Sequence, residues 1–274
     1  MSKVKYHYDP ETLSYRKIER KKGKTIKYGF IFLLASALFG FLFVHYFGGH
    51  AGSWKWIEKR ISKKHKCVFL NLPGFGNTKP LDHISIRSMS EWIANEIKIL
   101  ETDNYILIGH SMGGKLALFT TFILHDLLPK KIVLIAPSSP SGEDLSDSDK
   151  TQFLNDLVDD KVEETIHRLI KKKLNKNKLK HTLQSQLSVD RRTTQWWFNK
   201  GIANNITWAI KNLDVPIYLI SSKNDPIITS DVIQKNVLPY LKKPILITFG
   251  RSGHLIPIES PRKLTRVIKK IVSE

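Results

Sequence analysis

An α/β fold built on a mostly parallel sheet is what this sequence predicts, and three observations predict it. Short apolar runs that read as buried strands, such as Lys131–Ala136, Val215–Ser221 and Ile245–Phe249, are interspersed with stretches of helical periodicity. The segment Ile106–Phe119 passes from a strand pattern through Gly109-His110-Ser111-Met112-Gly113 straight into a helical pattern. Finally, Ser111, Asp225 and His254 each fall just past the end of a strand. A parallel sheet gathers such loops along one edge, the edge where open α/β sheets bind ligands.

In chain order, Leu13–Arg20 and Thr25–Ile31 flank Lys21-Lys-Gly-Lys24 like two strands of a hairpin. Tyr28–Phe47 is then a run of twenty residues without Asp, Glu, Lys or Arg, preceded by basic residues. Hydropathy alone reads it as a transmembrane helix with its amino end cytoplasmic. It is too late and too long for an ordinary signal peptide. Its last third also reads as a strand and loop, and Gly40–Phe47 cannot be both. Setting the strand aside leaves Tyr28–Phe39, about 18 Å of helix at about 1.5 Å per residue, short of roughly 30 Å of hydrocarbon. We therefore expect a soluble, cytoplasmic domain. The alternative is membrane association through residues 28–47 as a single N-terminal anchor.

Cys67–Leu70 reads as the next strand. Its cysteine is the only one in the chain, which excludes an internal disulfide, fits a reducing compartment, and points to a buried, inert thiol. At Ile106–Phe119 the reasoning is steric. A serine in a sharp turn at a strand's carboxyl end is crowded on both sides, so Gly109 and Gly113 answer a need for very small neighbours, and Gly114 gives the helix room to pack. A serine hydroxyl is a poor nucleophile and needs a base, which in turn needs an orienting acid. After the strand Val215–Ser221, the turn-rich Ser222-Lys-Asn-Asp225-Pro226 supplies an acid. After Ile245–Phe249, Gly250-Arg-Ser-Gly-His254 supplies one of the chain's ten histidines. Of the other nearby acids, Asp214 precedes its strand and Asp231 reads as a helix N-cap.

From about residue 40 to the end the chain resembles the α/β-hydrolase family. Phe41–Gly49 followed by Ser53-Trp54 looks like that family's His-Gly loop, Asn71–Thr78 looks like its D-x-x-G-x-G-x-S segment, and Ser252–Pro261 matches the ending around its histidine. The resemblance implies a serine hydrolase with Ser111 as nucleophile, His254 as base and Asp225 as orienting acid, and with the backbone amides of Met112 and Phe47 as oxyanion donors. Ser111 argues against the haloalkane dehalogenases, which use Asp there. The chain departs from the family's pattern in having Tyr46 where Gly usually follows the loop histidine, and Asn71 for the usual Asp.

The family often carries a helical lid, and here it is expected after the sixth strand, at residues 141–213, leaving 1–140 and 214–274 as the core. Within it Ser148–Val158 and Val162–Leu174 read as helices, and Trp196-Trp197-Phe198 breaks their polar pattern. Tyr46, His110, Trp196 and Trp197 are the candidates for the substrate pocket.

At 274 residues and 41% hydrophobic, the chain can bury one such domain. No metal cluster and no phosphate loop appears, so no cofactor and no metal is expected. The net charge of +19 is partly concentrated in Arg168–Lys180. No aromatic-interleaved basic motif accompanies it, so a nucleic-acid partner is not expected. The expected partner is a small acyl substrate, with an anionic one favoured if the lysines overhang the cleft. The reaction implied is ester cleavage through an acyl-enzyme. Its rivals are a cofactor-free perhydrolase or haloperoxidase, a C–C bond hydrolase, and a non-catalytic binding module on the same frame.

Overall fold

The structure is a computed structural model that describes residues 6–9, 14–17, 40–63, 65–143, 146–156 and 161–274. Its centre is a six-stranded, all-parallel sheet of β3 (Gly40–Val44), β4 (Lys66–Phe69), β5 (Tyr105–His110), β6 (Lys131–Ile135), β7 (Ile217–Ser222) and β8 (Ile245–Phe249), in the order β4-β3-β5-β6-β7-β8. The four inner strands are apolar along nearly their whole length and almost wholly buried. That is the pattern of strands covered on both faces. The edge strands β4 and β8 are the more exposed ones.

The helices follow from local sequence. α1 (Lys55–Ile61) buries Ile57 and Ile61. α2 (Ile86–Ile99) starts at a capping box, where the Ser85 and Ser88 hydroxyls each accept from the other's backbone amide at 2.9 Å. It buries Ile86, Met89, Ile93 and Ile97, spaced three and four apart. α3 (Met112–Ile123) is buried over nearly its whole length and packs on α2.

Between β6 and β7 lie α4 (Asp147–Asp156), α5 (Val162–Leu169), α6 (Lys176–Leu187), α7 (Arg191–Trp196), a π-turn over Trp197–Gly201 and α8 (Thr207–Ile210). After β7 come α9 (Ser230–Val232), then α10 (Ile256–Glu259) and α11 (Pro261–Ser273). α11 buries Leu264, Ile268 and Ile271 and packs against α1.

Right-handed crossovers explain the layers. The step from β3 to β4 runs one way along the sheet, and those from β4 to β5 and β5 to β6 run the other. α1 therefore lies on the opposite face from α2 and α3. The reversal leaves a crevice at the carboxyl ends of β3 and β5, the place where open α/β sheets take ligands.

Two expectations about the amino-terminal part change. β2 (Ser14–Lys17) lies within the expected strand 13–20, but its antiparallel partner is β1 (Tyr6–Asp9), with Asp9 opposite Ser14. The pair is thus one strand earlier than expected, and Asp9 followed by Pro10 supplies turn-forming chemistry that the first reading passed over. The proposed partner 25–31 lies outside the described residues. Gly40–Val44 is bonded into the sheet on both sides, to β4 and to β5. A single helix over residues 28–47 is therefore ruled out, while 28–39 lie outside the described residues. Among the described residues no helix is long and apolar enough to cross a membrane.

Candidate active site

Ser111 sits between β5 and α3 with φ 53° and ψ −118°, a strained conformation for a residue with a side chain. Its neighbours show what permits it. A Cβ on Gly109 would run into the Gly113 carbonyl and come within 2.7 Å of the Gly114 Cα. One on Gly113 would meet the Val44 carbonyl at the end of β3 and the His45 carbonyl just past it at 2.5 Å. The turn is held by the Ser111 amide, which donates to the Ile135 carbonyl at 2.9 Å, and by the Ser138 amide, which donates to the Ser111 carbonyl at 3.1 Å.

The three loops converge. His254 Nε2 lies 2.9 Å from Ser111 Oγ, and His254 Nδ1 lies 2.8 Å from Asp225 Oδ2. A carboxylate only accepts, so Nδ1 carries the proton and Nε2 offers its lone pair to the serine hydroxyl. Asp225 is held in turn by the amides of Ile227 and Ile228, both 2.9 Å from Oδ1. Asp225 and His254 are buried, whereas Ser111 keeps partial access. The other two acids are elsewhere: Asp214 and Asp231 are exposed and paired with Lys242 and Lys235. The N-cap expected at Asp231 belongs to Thr229, whose hydroxyl accepts from the Val232 amide.

The amides of Met112, next to Ser111 in the chain, and of Phe47, in the loop after β3, have no hydrogen-bond acceptor among the described residues. Met112 opens α3, so its amide is one of the donors that a helix start leaves free. Tyr46 keeps a negative φ, and the left-handed position of this loop falls instead at Gly48, with φ 86°. Tyr46 thus takes the place of the family's usual Gly without a left-handed backbone. His45 makes the loop rigid. Its Nδ1 donates to the Tyr46 carbonyl at 2.8 Å, and its Nε2 accepts from the Leu72 amide at 3.3 Å. Burial pushes His45 down to about 3, so it stays neutral.

The four pocket candidates divide. Trp197 stacks on Phe47 with ring centres 6.2 Å apart, and Phe198, left unassigned by the sequence, meets Phe47 edge-on at 5.0 Å. Trp196 packs beside Trp197 instead. His110 has no accessible surface and donates from Nε2 to the His254 carbonyl at 2.9 Å, so it supports the histidine loop rather than facing a ligand. Burial holds it neutral, with the neighbouring His254 adding to the effect. Tyr46 is likewise buried, packed on His110 and within a cluster of Val162, Ile166, Leu174, Leu255 and Ile258.

Two residues escaped the sequence reading. Glu259 Oε2 accepts from the amides of Lys171, Lys172 and Gly253, at 2.9, 2.9 and 3.0 Å, and so fastens the His254 loop to the insertion. Lys115 in α3 has no accessible surface and donates to the carbonyls of Gly201 and Ile202, at 3.3 and 2.9 Å. Burial pulls it down from 10.5 to about 8, against the opposing charge of Glu143. A polar residue with no periodic partner gives no local signal. Glu259 could have been singled out only by its nearness to His254 in sequence. Cys67 is half-buried rather than fully buried as expected, and its environment, chiefly burial, raises its thiol to about 12.

Comparison with known proteins agrees with this architecture. The sequence model described as alpha/beta hydrolase fold matches residues 41–273. A Haemophilus influenzae protein, named as a candidate esterase/lipase, is 23% identical over 239 residues, which cover 85% of this chain and 83% of that one. A Mycoplasma pneumoniae protein of similar name is 33% identical over 105 residues, 37% of this chain and 39% of its own length. The solved structure of an Exiguobacterium antarcticum esterase superposes with a TM-score of 0.79 at 14% identity, covering 86% of this chain and 92% of that one. With most of its length matched by the family's sequence model and its sheet, crossovers and strained serine turn in place, this chain belongs to the alpha/beta hydrolase fold family.

Proposed function

We propose that this hydrolase cleaves a carboxylic ester or a related acyl substrate through an acyl-enzyme. The observation that carries the reading is the continuous line from Asp225 through His254 to Ser111. His254 Nε2 takes the hydroxyl proton as Ser111 Oγ attacks the carbonyl carbon. Asp225 keeps the ring in the required tautomer and stabilises the imidazolium as it forms. The oxygen that becomes negative is held by the amides of Met112 and Phe47. As the C–O bond breaks, His254 returns the proton to the departing alcohol. Water then repeats the attack on the acyl-serine, and the carboxylic acid leaves.

The reading also gives the insertion a role. Residues 141–213 act as a lid, with Trp197 and Phe198 joining Phe47 as an apolar wall for the acyl chain. The names of the two sequence relatives point the same way. The test is hydrolysis of short p-nitrophenyl esters by wild type and Ser111→Ala, together with labelling by a fluorophosphonate. Wild type should turn over and label, and the variant should lose about 10³-fold or more while keeping its melting temperature. Activity within tenfold of wild type, or labelling that survives the substitution, would overturn the assignment.

A further inference from the structure

A second cavity, of about 780 Å³, opens away from Ser111, Asp225 and His254, none of which borders it. Its walls come from α1, the loop before α6 and the start of α6, the loop after β8, the end of α10 and the first turns of α11. Arg60, Lys172, Lys178 and Arg251 approach from four of these segments, and Arg262, Lys263 and Arg266 from α11. Among the described residues none of the seven reaches a carboxylate at ion-pairing distance. The one acid on the wall, Glu259, has its Oε2 already engaged by three backbone amides.

The cations are positioned by neutral groups instead. Lys172 Nζ donates to Ser260 Oγ and Lys178 Nζ to the Ile258 carbonyl, each at 2.5 Å. Lys178 also lies over the Trp56 ring at 5.6 Å, and Lys263 over Phe249 at 4.1 Å. Holding seven cations around one space with Glu259 as the single acid on its wall costs free energy that an anionic occupant would recover.

A solvated basic face is the alternative in so cationic a chain. Composition argues against it. Ten of the 44 basic residues are arginine, and four of those ten border this cavity. Arginine's planar fork suits phosphate oxygens in a way that a solvating lysine does not. α11 adds to the field: its first turn contains no acid, Ser260 does not cap it, and it carries basic side chains where acids are usually favoured.

We propose that this cavity binds a ligand carrying two or more phosphate charges, at a site separate from the ester-cleaving centre. A single carboxylate would leave most of the seven cations unbalanced. Inorganic pyrophosphate is the probe, titrated into the full chain at physiological salt and followed by Trp56 fluorescence and melting temperature. Saturable binding is expected, with the fluorescence change removed by Trp56→Phe.

Arg262→Gln/Lys263→Gln/Arg266→Gln should weaken binding about tenfold or more, while the charge-matched Arg191→Gln/Lys200→Gln/Lys211→Gln, on exposed residues elsewhere, leaves it unchanged. Arg60→Gln, on a different helix, checks the result should the triple variant fold poorly. Vesicles containing cardiolipin, whose headgroup carries two phosphate charges, and vesicles of phosphatidylcholine alone separate the two sources of such a group. Site-dependent flotation with cardiolipin only identifies a lipid headgroup, and site-dependent pyrophosphate binding without flotation identifies a soluble phosphate. Equal loss in the two triple variants, or no saturable binding of either probe, would overturn the proposal.

Discussion

Replacing Lys115 by Met should remove a stability change that the wild type shows in alkaline solution. The ammonium is wholly buried, and its environment lowers it from 10.5 to about 8. Below about pH 8 both folded and unfolded chains carry the proton, and folding bears the full cost of burying the charge. Between about 8 and 10.5 the folded chain releases the proton first. The unfolded chain then binds more protons, so stability rises with pH. Above that window both forms are neutral and the gain is complete. The difference of about 2.5 in pKa, at about 1.4 kcal/mol per unit, amounts to roughly 3 kcal/mol.

Met cannot titrate, so the stability difference between wild type and Lys115→Met should move in favour of wild type by that amount. Near neutrality two opposing effects meet. The carbonyls of Gly201 and Ile202 each lose one of two donors, keeping the amides of Asn204 and Glu143 at 3.3 and 3.1 Å, at a cost of about 0.5–1.5 kcal/mol each, while the buried charge disappears. The variant should therefore lie within about 2 kcal/mol of wild type at pH 7. Urea unfolding of both proteins at intervals from pH 7 to 10.5 measures the difference directly, since other titrating groups cancel. A difference that stays flat would show that Lys115 does not carry a buried charge.

Asp225→Asn should preserve the fold yet lower turnover of p-nitrophenyl esters by orders of magnitude, because the amide no longer fixes the His254 tautomer; equal activity would misplace the acid. Gly113→Ala should destabilise by about 1–3 kcal/mol or prevent folding, since the new methyl meets strand backbone that cannot move aside; an unchanged urea midpoint would refute it. Burial, with Lys55 nearby, keeps His50 at about 4 and His181 at about 3, against the usual 6.5. The unfolded chain therefore takes up these protons first as pH falls below 6.5, and stability is lost from there down to the folded values. His181→Phe should make this acid slope shallower, as read from melting temperatures between pH 7 and 4; an unchanged slope would count against it.

The sheet and the convergence of Ser111, Asp225 and His254 were legible because each rests on a local rule. Buried strands read as apolar runs, and turn residues mark where strands stop. Residues that owe their place to distant contacts were not legible. The helix expected over Val162–Leu174 stops at Leu169 and the chain is extended at Ile170. The Leu169 carbonyl accepts instead from the His254 amide at 2.7 Å, a partner 85 positions away that no helical periodicity reports. The apolar run 28–47 left two readings open for the opposite reason. Fully buried strands and membrane helices share a composition, and only pairing with β4 and β5 separates them at Gly40–Val44. Within the basic run Arg168–Lys180, Lys172 and Lys178 line the other cavity, a placement that a charge run does not specify.

The three amides gathered by Glu259 limit how this chain can diversify. Insertions between core strands are usually regarded as exchangeable parts, replaced by recombination when a new substrate is to be accommodated. Here two of the three donors to a buried carboxylate, and the acceptor for the His254 amide, belong to the insertion. Excising it whole would leave that carboxylate with the Gly253 amide alone, at a cost of several kcal/mol, and would free the loop that carries His254. A transplanted or shortened insertion would have to retain residues 169–172 or supply equivalent groups. The segments farther from this joint, where Trp197 and Phe198 meet Phe47, carry no such restriction.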